Sequence, residues 1–308
     1  MSLNLAQTIC ELTRDLCLNH HGVVMGQCLM QAGNVAGTVP ELTKEQGLLE
    51  LPMADVMGSG IAAGYALDGR PTVYVVRYQG FLWFNAANLV NFAAKAREMW
   101  GYSLPLLIRA IASDGSIGPT IGPVASCSQH GMFYRMPGIP ICAPMTPGEY
   151  REIWEHFRRH NEPIFVDEYR TGYPVDYEMP DIIYSWADIT LFPISSTRLN
   201  AIKAAKELEK ENIKCNIVHL MWLKPMLIDE RIINPLENSN FGGLVLDTDF
   251  EGGAVKCIAF DIMSASGKPV RVLGLEERCH GFAAHLDNPP PSAEKIYHYV
   301  KKLVRPTA

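Results

Sequence analysis

Short apolar runs rich in Val, Ile and Leu recur along the chain at 22–26, 72–77, 106–111, 139–143 and 163–167. Runs this short, apolar on consecutive positions, are the pattern of strands covered on both faces. Between them, 86–100 and 147–160 carry apolar residues at helical spacing. Strand and helix in alternation predict a parallel sheet with helices packed on both sides. Around 174–180 the pattern breaks into Pro, Tyr and acidic residues, and a second series begins: strands at 189–193, 214–219, 243–248 and 269–273, helices at 198–211 and 253–266. The expected fold class is α/β with two doubly wound domains. Residues 1–180 form the larger, mostly parallel-sheet domain and 181–308 the smaller, joined across a proline-bearing stretch at 175–187.

Composition narrows the function classes. A chain of 308 residues that is 48% hydrophobic and 19% charged has the content of a globular protein with a large core. Its formal charge of −6 offers no basic footprint for nucleic acid or an anionic membrane, so a small-molecule substrate is expected. Eight cysteines are scattered with no Cys-x-x-Cys pair and no zinc spacing, which predicts reduced, mostly buried thiols. The N-terminal residues lead directly into an amphipathic pattern with Glu11, Arg14 and Asp15, unlike a secretion signal, and no apolar run has the length of a membrane span. The expected location is the cytoplasm.

The segment from Pro52 to Pro71 carries the chemistry. Asp55 stands just before a helix in which Gly58, Ser59, Gly60, Ala62, Ala63, Gly64 and Ala66 leave one face nearly free of side chains. Each helix-interior Gly costs about 1 kcal/mol relative to Ala, so the cluster calls for close packing. Either a neighbouring helix of the same chain, or a second chain or cofactor, presses against it. A dinucleotide site is excluded, because Gly58-Ser-Gly60 lies inside the helix and behind an acid that would repel a pyrophosphate. Asp55 itself reads either as a buried functional acid or as a helix N-cap.

This segment resembles the helix of the pyrimidine-binding domain in transketolases and in the beta subunits of 2-oxo-acid dehydrogenases. There an acid precedes a Gly-x-Ala-x-Gly-like helix and a Gly-Arg-Pro turn, here Asp68-Gly-Arg-Pro71. The resemblance continues through Phe81, at the place of an aromatic residue that stacks on the pyrimidine, and Asn91-Phe-Ala-Ala-Lys95. It extends to Arg109 at a Phe-Arg-Gly-like position and to Asn161-Glu-Pro-Ile-Phe-Val-Asp-Glu168. Asp188-Ile-Thr-Leu-Phe-Pro-Ile-Ser-Ser, Trp222-Leu-Lys-Pro-Met226 and Pro290-Pro-Ser-Ala-Glu-Lys-Ile296 are similar to the transketolase C-terminal domain, so nearly the whole chain is covered.

The resemblance implies a thiamin-diphosphate enzyme in which Asp55 hydrogen-bonds a pyrimidine nitrogen and Phe81 stacks on the ring. The family usually has Glu at the Asp55 position, one methylene longer. The family histidine before the Pro137-Gly138 turn falls on Ala125; His130, five residues on, is the candidate to reach the site, its other reading being a helix-start histidine. Gly118-Pro-Thr-Ile-Gly-Pro123 resembles a transketolase Gly-Pro-Thr-His loop with Ile121 in place of histidine. Arg77, Tyr78 and Gln79, polar residues at a strand end, and Ile121 of this loop are candidates for the substrate pocket, with Tyr78 also near the cofactor.

No Gly-Asp-Gly occurs in the chain. The resemblance therefore implies an alpha-type partner that holds the diphosphate through Mg2+, in an alpha2beta2 assembly with thiamin diphosphate shared between chains and a lipoyl-domain protein as acceptor in the dehydrogenase branch. A split transketolase-like carboligase and a non-catalytic partner subunit are the alternative functions. Asp247-Thr-Asp-Phe-Glu251 lacks the spacing of a calcium loop.

Overall fold

The computed structural model describes residues 2–113, 127–281 and 283–305. Seven strands form the first sheet: β1 (Val23–Gln27), β2 (Leu48–Leu51), β3 (Thr72–Val76), β4 (Leu106–Ala112), β5 (Ile141–Cys142), β6 (Ile164–Tyr169) and β9 (Trp222–Lys224). Their order is β2-β1-β3-β4-β6-β5-β9, parallel except for the antiparallel β9. The second sheet, β11-β10-β7-β8, is parallel throughout and uses β7 (Ile189–Pro193), β8 (Cys215–Ile217), β10 (Gly243–Phe250) and β11 (Val270–Leu275). Because β9 follows β8 in the chain yet pairs with β5, the second half of the sequence supplies an edge of the first sheet.

Strand side chains alternate between two cores. Val24, Val73, Val75, Leu107 and Val166 face α1 (Leu5–Asn19) and α7 (Pro147–His160), meeting Ile9, Leu16, Tyr150, Ile153 and Phe157. Capping boxes, Asn4 with Gln7 and Thr146 with Glu149, start these two helices. The opposite residues, Met25, Tyr74, Val76, Ile108 and Phe165, face α3 (Asp55–Leu67) and α4 (Leu82–Asn91) and continue without a break into Phe192, Val245 and Ile258 around the second sheet. A third core packs α8 (Thr197–Lys210) and α11 (Ala293–Val304) on the far side of the second sheet.

The span 86–100, expected as one helix, is three pieces: the end of α4, a 3-10 turn at Ala93–Lys95, and α5 (Ala96–Trp100). The break lets the turn at Gly138 press on Ala94, whose carbonyl lies where a Gly138 Cβ would be. The helix α10 (Ala254–Ser266) forms as expected. The eight cysteines are all free thiols; four are buried, Cys10 and Cys28 are half-buried, and Cys257 and Cys279 are exposed. No helix among the described residues is long and apolar enough to cross a membrane.

Candidate functional site

A cavity of about 290 Å³ opens at the carboxyl ends of β1 and β3, where parallel α/β sheets present their ligands. Gln27 and Cys28 from the end of β1, Tyr74 from β3, and Arg77, Tyr78 and Phe81 after β3 line it together with Asp55. Met53, Val75 and Val76 complete an apolar wall. Four expected site residues, Asp55, Phe81, Tyr78 and Arg77, thus share one cavity.

Local chemistry fixes each of them. Asp55 is the first residue of α3, where the helix dipole favours a carboxylate. It is not the cap: Ala54 occupies that position without a side-chain bond. The Gln27 amide, turned with its oxygen toward the helix, accepts from the Ala54 and Asp55 N–H groups at 3.2 Å each. The half-buried Asp55 carboxylate makes no hydrogen bond or ion pair among the described residues. Below it Tyr74 donates to the Asn85 amide oxygen at 2.6 Å, and burial, followed by the Asp55 charge, pushes its hydroxyl above its ordinary range, so it stays protonated. Phe81 sits edge-on to Tyr78, ring centres 6.1 Å apart.

The small-residue face of α3 divides in two. A Cβ on Gly58 would lie 2.7 Å from the Tyr74 hydroxyl, and one on Gly60 3.2 Å from the Asn88 amide of α4. Packing within the chain therefore accounts for these two glycines. Gly64 has nothing within 4 Å of its Cβ position.

Gln79 and His130 lie elsewhere. Gln79 is fully buried: its amide nitrogen donates to the Ala110 carbonyl and to Asp167, and its oxygen accepts from the Gln129 N–H. It joins strands rather than lining the cavity. His130, expected to reach the site, is also fully buried, at the start of α6 (His130–Tyr134). Nδ1 lies 2.7 Å from Asp167 of β6, and Nε2 lies 3.1 Å from Asp247 of β10. Burial alone would lower its pKa, but the two carboxylates outweigh that and hold it well above 6.5, as an imidazolium bonded on both sides. Ser128 bonds Asp167 and Thr248, and Asp249 accepts from the Gly131 N–H, so this cluster ties the two sheets together. Ile121, Ala125 and the loop 118–123 lie outside the described residues.

Two motif residues turn out to be partners. Arg109 and Glu168, both fully buried, form a bidentate pair at 2.7 and 2.9 Å, completed by Thr38, Tyr150 and Tyr173. A larger cavity, about 470 Å³, lies at the other ends of the strands, lined in part by His20, His21, Arg70 and Arg158. Basic groups there complement the carboxyl ends of α1 and α7, and no acid–aromatic pair faces it. Among the described residues no cluster of three His, Cys, Asp or Glu side chains suits a metal.

The architecture is two-sheet, mostly parallel α/β, and one cavity at its strand ends holds the Phe81 ring and an Asp55 carboxylate that has no hydrogen bond or ion pair among the described residues. The chain belongs to the family described as transketolase, pyrimidine binding domain, which matches residues 3–175. It is 26% identical over 227 residues to the beta subunit of acetoin:2,6-dichlorophenolindophenol oxidoreductase from Cupriavidus necator, covering 67% of this chain and 64% of that one. It is 24% identical to the pyruvate dehydrogenase E1 component subunit beta of Bacillus subtilis, over 84% of each chain. Among solved structures, a split-gene transketolase described as an inactive beta4 tetramer superposes with a TM-score of 0.73 at 16% identity over 99% of both chains. A transketolase from Campylobacter jejuni gives 0.70 at 14% identity, over 97% of this chain and 46% of that one. The family is one of thiamin-diphosphate-dependent enzymes.

Proposed function

We propose that this chain is the beta-type subunit of a two-chain thiamin-diphosphate enzyme that decarboxylates a 2-oxo acid and transfers the acyl or aldehyde unit. The observation that carries the reading is the Asp55 carboxylate, without a hydrogen bond or ion pair among the described residues, in the same cavity as the Phe81 ring. A planar aminopyrimidine suits such a place: Phe81 and Tyr78 supply aromatic faces, Met53, Val75 and Val76 an apolar wall, and the Asp55 carboxylate an acceptor for a ring N–H. Asp55 would hold that proton, and Phe81 would fix the plane of the ring. Tyr74, kept protonated by burial, adds a neutral hydroxyl under Asp55. When bound, the cofactor would supply a carbon nucleophile and a sink for the electron pair left behind when carbon dioxide departs.

The partner is proposed to be an alpha-type chain that carries a Gly-Asp-Gly motif, holds the diphosphate through Mg2+, and assembles as alpha2beta2. Its docking face is read from Met53, Val56, Met57, Trp83 and Phe84 at the starts of α3 and α4 beside the cavity, whose exposures run from 52 to 79%. A lipoyl-domain protein is the proposed acceptor, and eight free thiols fit a reducing, cytoplasmic location. A split transketolase-like carboligase is the second reading, favoured by end-to-end agreement with the split-gene transketolase chain.

Calorimetric titration of thiamin diphosphate with Mg2+ into the chain alone, and into the chain co-expressed with an alpha-type subunit, tests the reading. Binding by the pair only is the expected result; binding by neither removes the cofactor assignment. Turnover with a lipoyl domain or an artificial oxidant selects the dehydrogenase branch, and turnover with an aldehyde acceptor alone selects the carboligase.

A further inference from the structure

The hydrogen bonds beneath the cavity run in one direction. The Phe81 carbonyl, a backbone acceptor, faces the Asn85 side chain at 2.9 Å, so the Asn85 nitrogen Nδ2 stands on that side and donates. The amide oxygen Oδ1 is thereby turned to the Tyr74 hydroxyl, 2.6 Å away. An amide oxygen only accepts, and a phenol carries one proton. Tyr74 therefore donates to Asn85 and has no proton for any other group. Both side chains are closed off from water, Asn85 at 0% and Tyr74 at 2% exposure.

That proton is withheld from a stronger acceptor. Tyr74 and Asp55 line the same cavity, and the Tyr74 hydroxyl abuts the start of α3, 2.7 Å from where a Cβ on Gly58 would stand, three residues on from Asp55. Hydrogen bonds to an ionised acceptor are about twice as strong as neutral ones, so a phenol with a free proton would turn to the carboxylate. No bond joins them, and Asp55 has no hydrogen bond or ion pair among the described residues. A hydroxyl that did turn to Asp55 would draw off part of its charge and weaken the bond it offers a ring N–H.

We propose that Asn85 is a positioning residue for this cavity: by holding the Tyr74 proton, it keeps the Asp55 carboxylate free as an acceptor for the ring N–H of the bound ligand. The start of α4 makes this possible, because Phe81 is the residue just before the helix and Asn85 lies one turn into it. One side chain thus ties the aromatic wall of the cavity to the hydroxyl beside the acid. The role toward the ligand rests on the thiamin-diphosphate reading, whereas the place of the proton can be measured without it.

Two measurements test it. In the full chain without a partner, the Tyr74 hydroxyl proton, identified in NMR spectra by its loss in Tyr74→Phe, should exchange slowly with water, show a nuclear Overhauser contact to the Asn85 amide protons, and keep both properties in Asp55→Asn. Loss of its protection in Asp55→Asn would put the proton on the carboxylate and overturn the proposal. In the two-chain assembly, Asn85→Leu should weaken calorimetric binding of thiamin diphosphate with Mg2+ at least about tenfold, the scale of one hydrogen bond to a charged group. Adding Tyr74→Phe removes the freed proton and should restore affinity to within about threefold of wild type, a recovery that double-variant coupling reads directly. A merely structural Asn85 predicts the opposite, so a double variant as weak as Asn85→Leu, or unaltered affinity in Asn85→Leu, overturns the role. If Asn85→Leu does not fold, the proton measurement decides without it. Binding by no form, wild type included, overturns the cofactor reading, and the hydroxyl proton then upholds or overturns the Asn85 assignment by itself.

Discussion

Two acidic sites stand at strand ends of this molecule, and they treat their charges in opposite ways. At the junction of the sheets, His130 lies between Asp167 and Asp247, and Ser128, Thr248 and Gly131 take up further oxygens. In the cavity, Asp55 is half-buried with no hydrogen bond or ion pair among the described residues, and the Nε of Arg77, which also lines it, is buried without a partner. Buried polar groups are normally satisfied, so a matched set speaks for architecture and an unmatched set facing a cavity speaks for a ligand. That distinction moves His130 and Gln79 from the expected pocket to the scaffold.

The strongest way to break the contrast is to alter one acid and watch what fails. Asp55→Asn removes the proton-holding carboxylate but keeps its shape. Turnover of the assembled enzyme should fall by about 10²–10⁴-fold, the range of a general acid–base contribution, while unfolding stability changes by less than about 0.5 kcal/mol. A comparable loss of stability in denaturant titration would instead make Asp55 a structural residue.

His130→Ala should give the reverse pattern. It leaves Asp167 and Asp247 buried and facing each other without a cation, a defect worth about 3–5 kcal/mol in chemical denaturation. The same cluster fixes a sign for pH. The folded pKa of His130 is raised, so its contribution is complete below about 6.5 and is lost as pH rises through the higher folded value. Asp249, pushed up to about 6 mainly by burial, acts in the same direction: its contribution is complete below 3.8 and is lost as pH rises through about 6. Stability should therefore decline on the alkaline side, and the portion above neutrality should vanish in His130→Ala. A pH profile identical in wild type and variant would deny the imidazolium.

Much of this was legible in the sequence because it depended on local pattern. The five core strands and α7 followed from apolar runs and helical spacing, and Asp55, Phe81, Tyr78 and Arg77 converged because they sit at the ends of consecutive elements. What escaped required knowing partners. The four-residue β2 is too short for a periodic signal, and Trp222–Lys224 gives no hint that it crosses to pair with β5. Whether Gln79 points into a cavity or between strands depends on Asp167, 88 residues away. Gln27 lies in β1 and Tyr74 in β3, and strand alternation reveals which face each takes but not what lies there.

Smaller effects sharpen the cavity side of the comparison. Phe81→Ala removes a face against which a planar ring would stack, so thiamin diphosphate binding to the two-chain assembly should weaken by about 0.5–1.5 kcal/mol, or up to roughly tenfold, in calorimetry. Unchanged affinity would place the ring elsewhere.

The smallest effect separates the two halves of the α3 face. Gly64→Ala adds a methyl where no atom lies within 4 Å and replaces a poor helix former, so the isolated chain should gain about 0.5–1 kcal/mol in denaturant titration. Gly58→Ala should lose stability, because its methyl would press on the Tyr74 hydroxyl. If the open half of α3 is where another chain packs, Gly64→Ala should weaken assembly with the alpha-type subunit while stabilising the lone chain, an opposition that an analytical ultracentrifuge can read. Stabilisation with undiminished assembly would confine the contact to the apolar residues at the starts of α3 and α4, next to the unpaired acid.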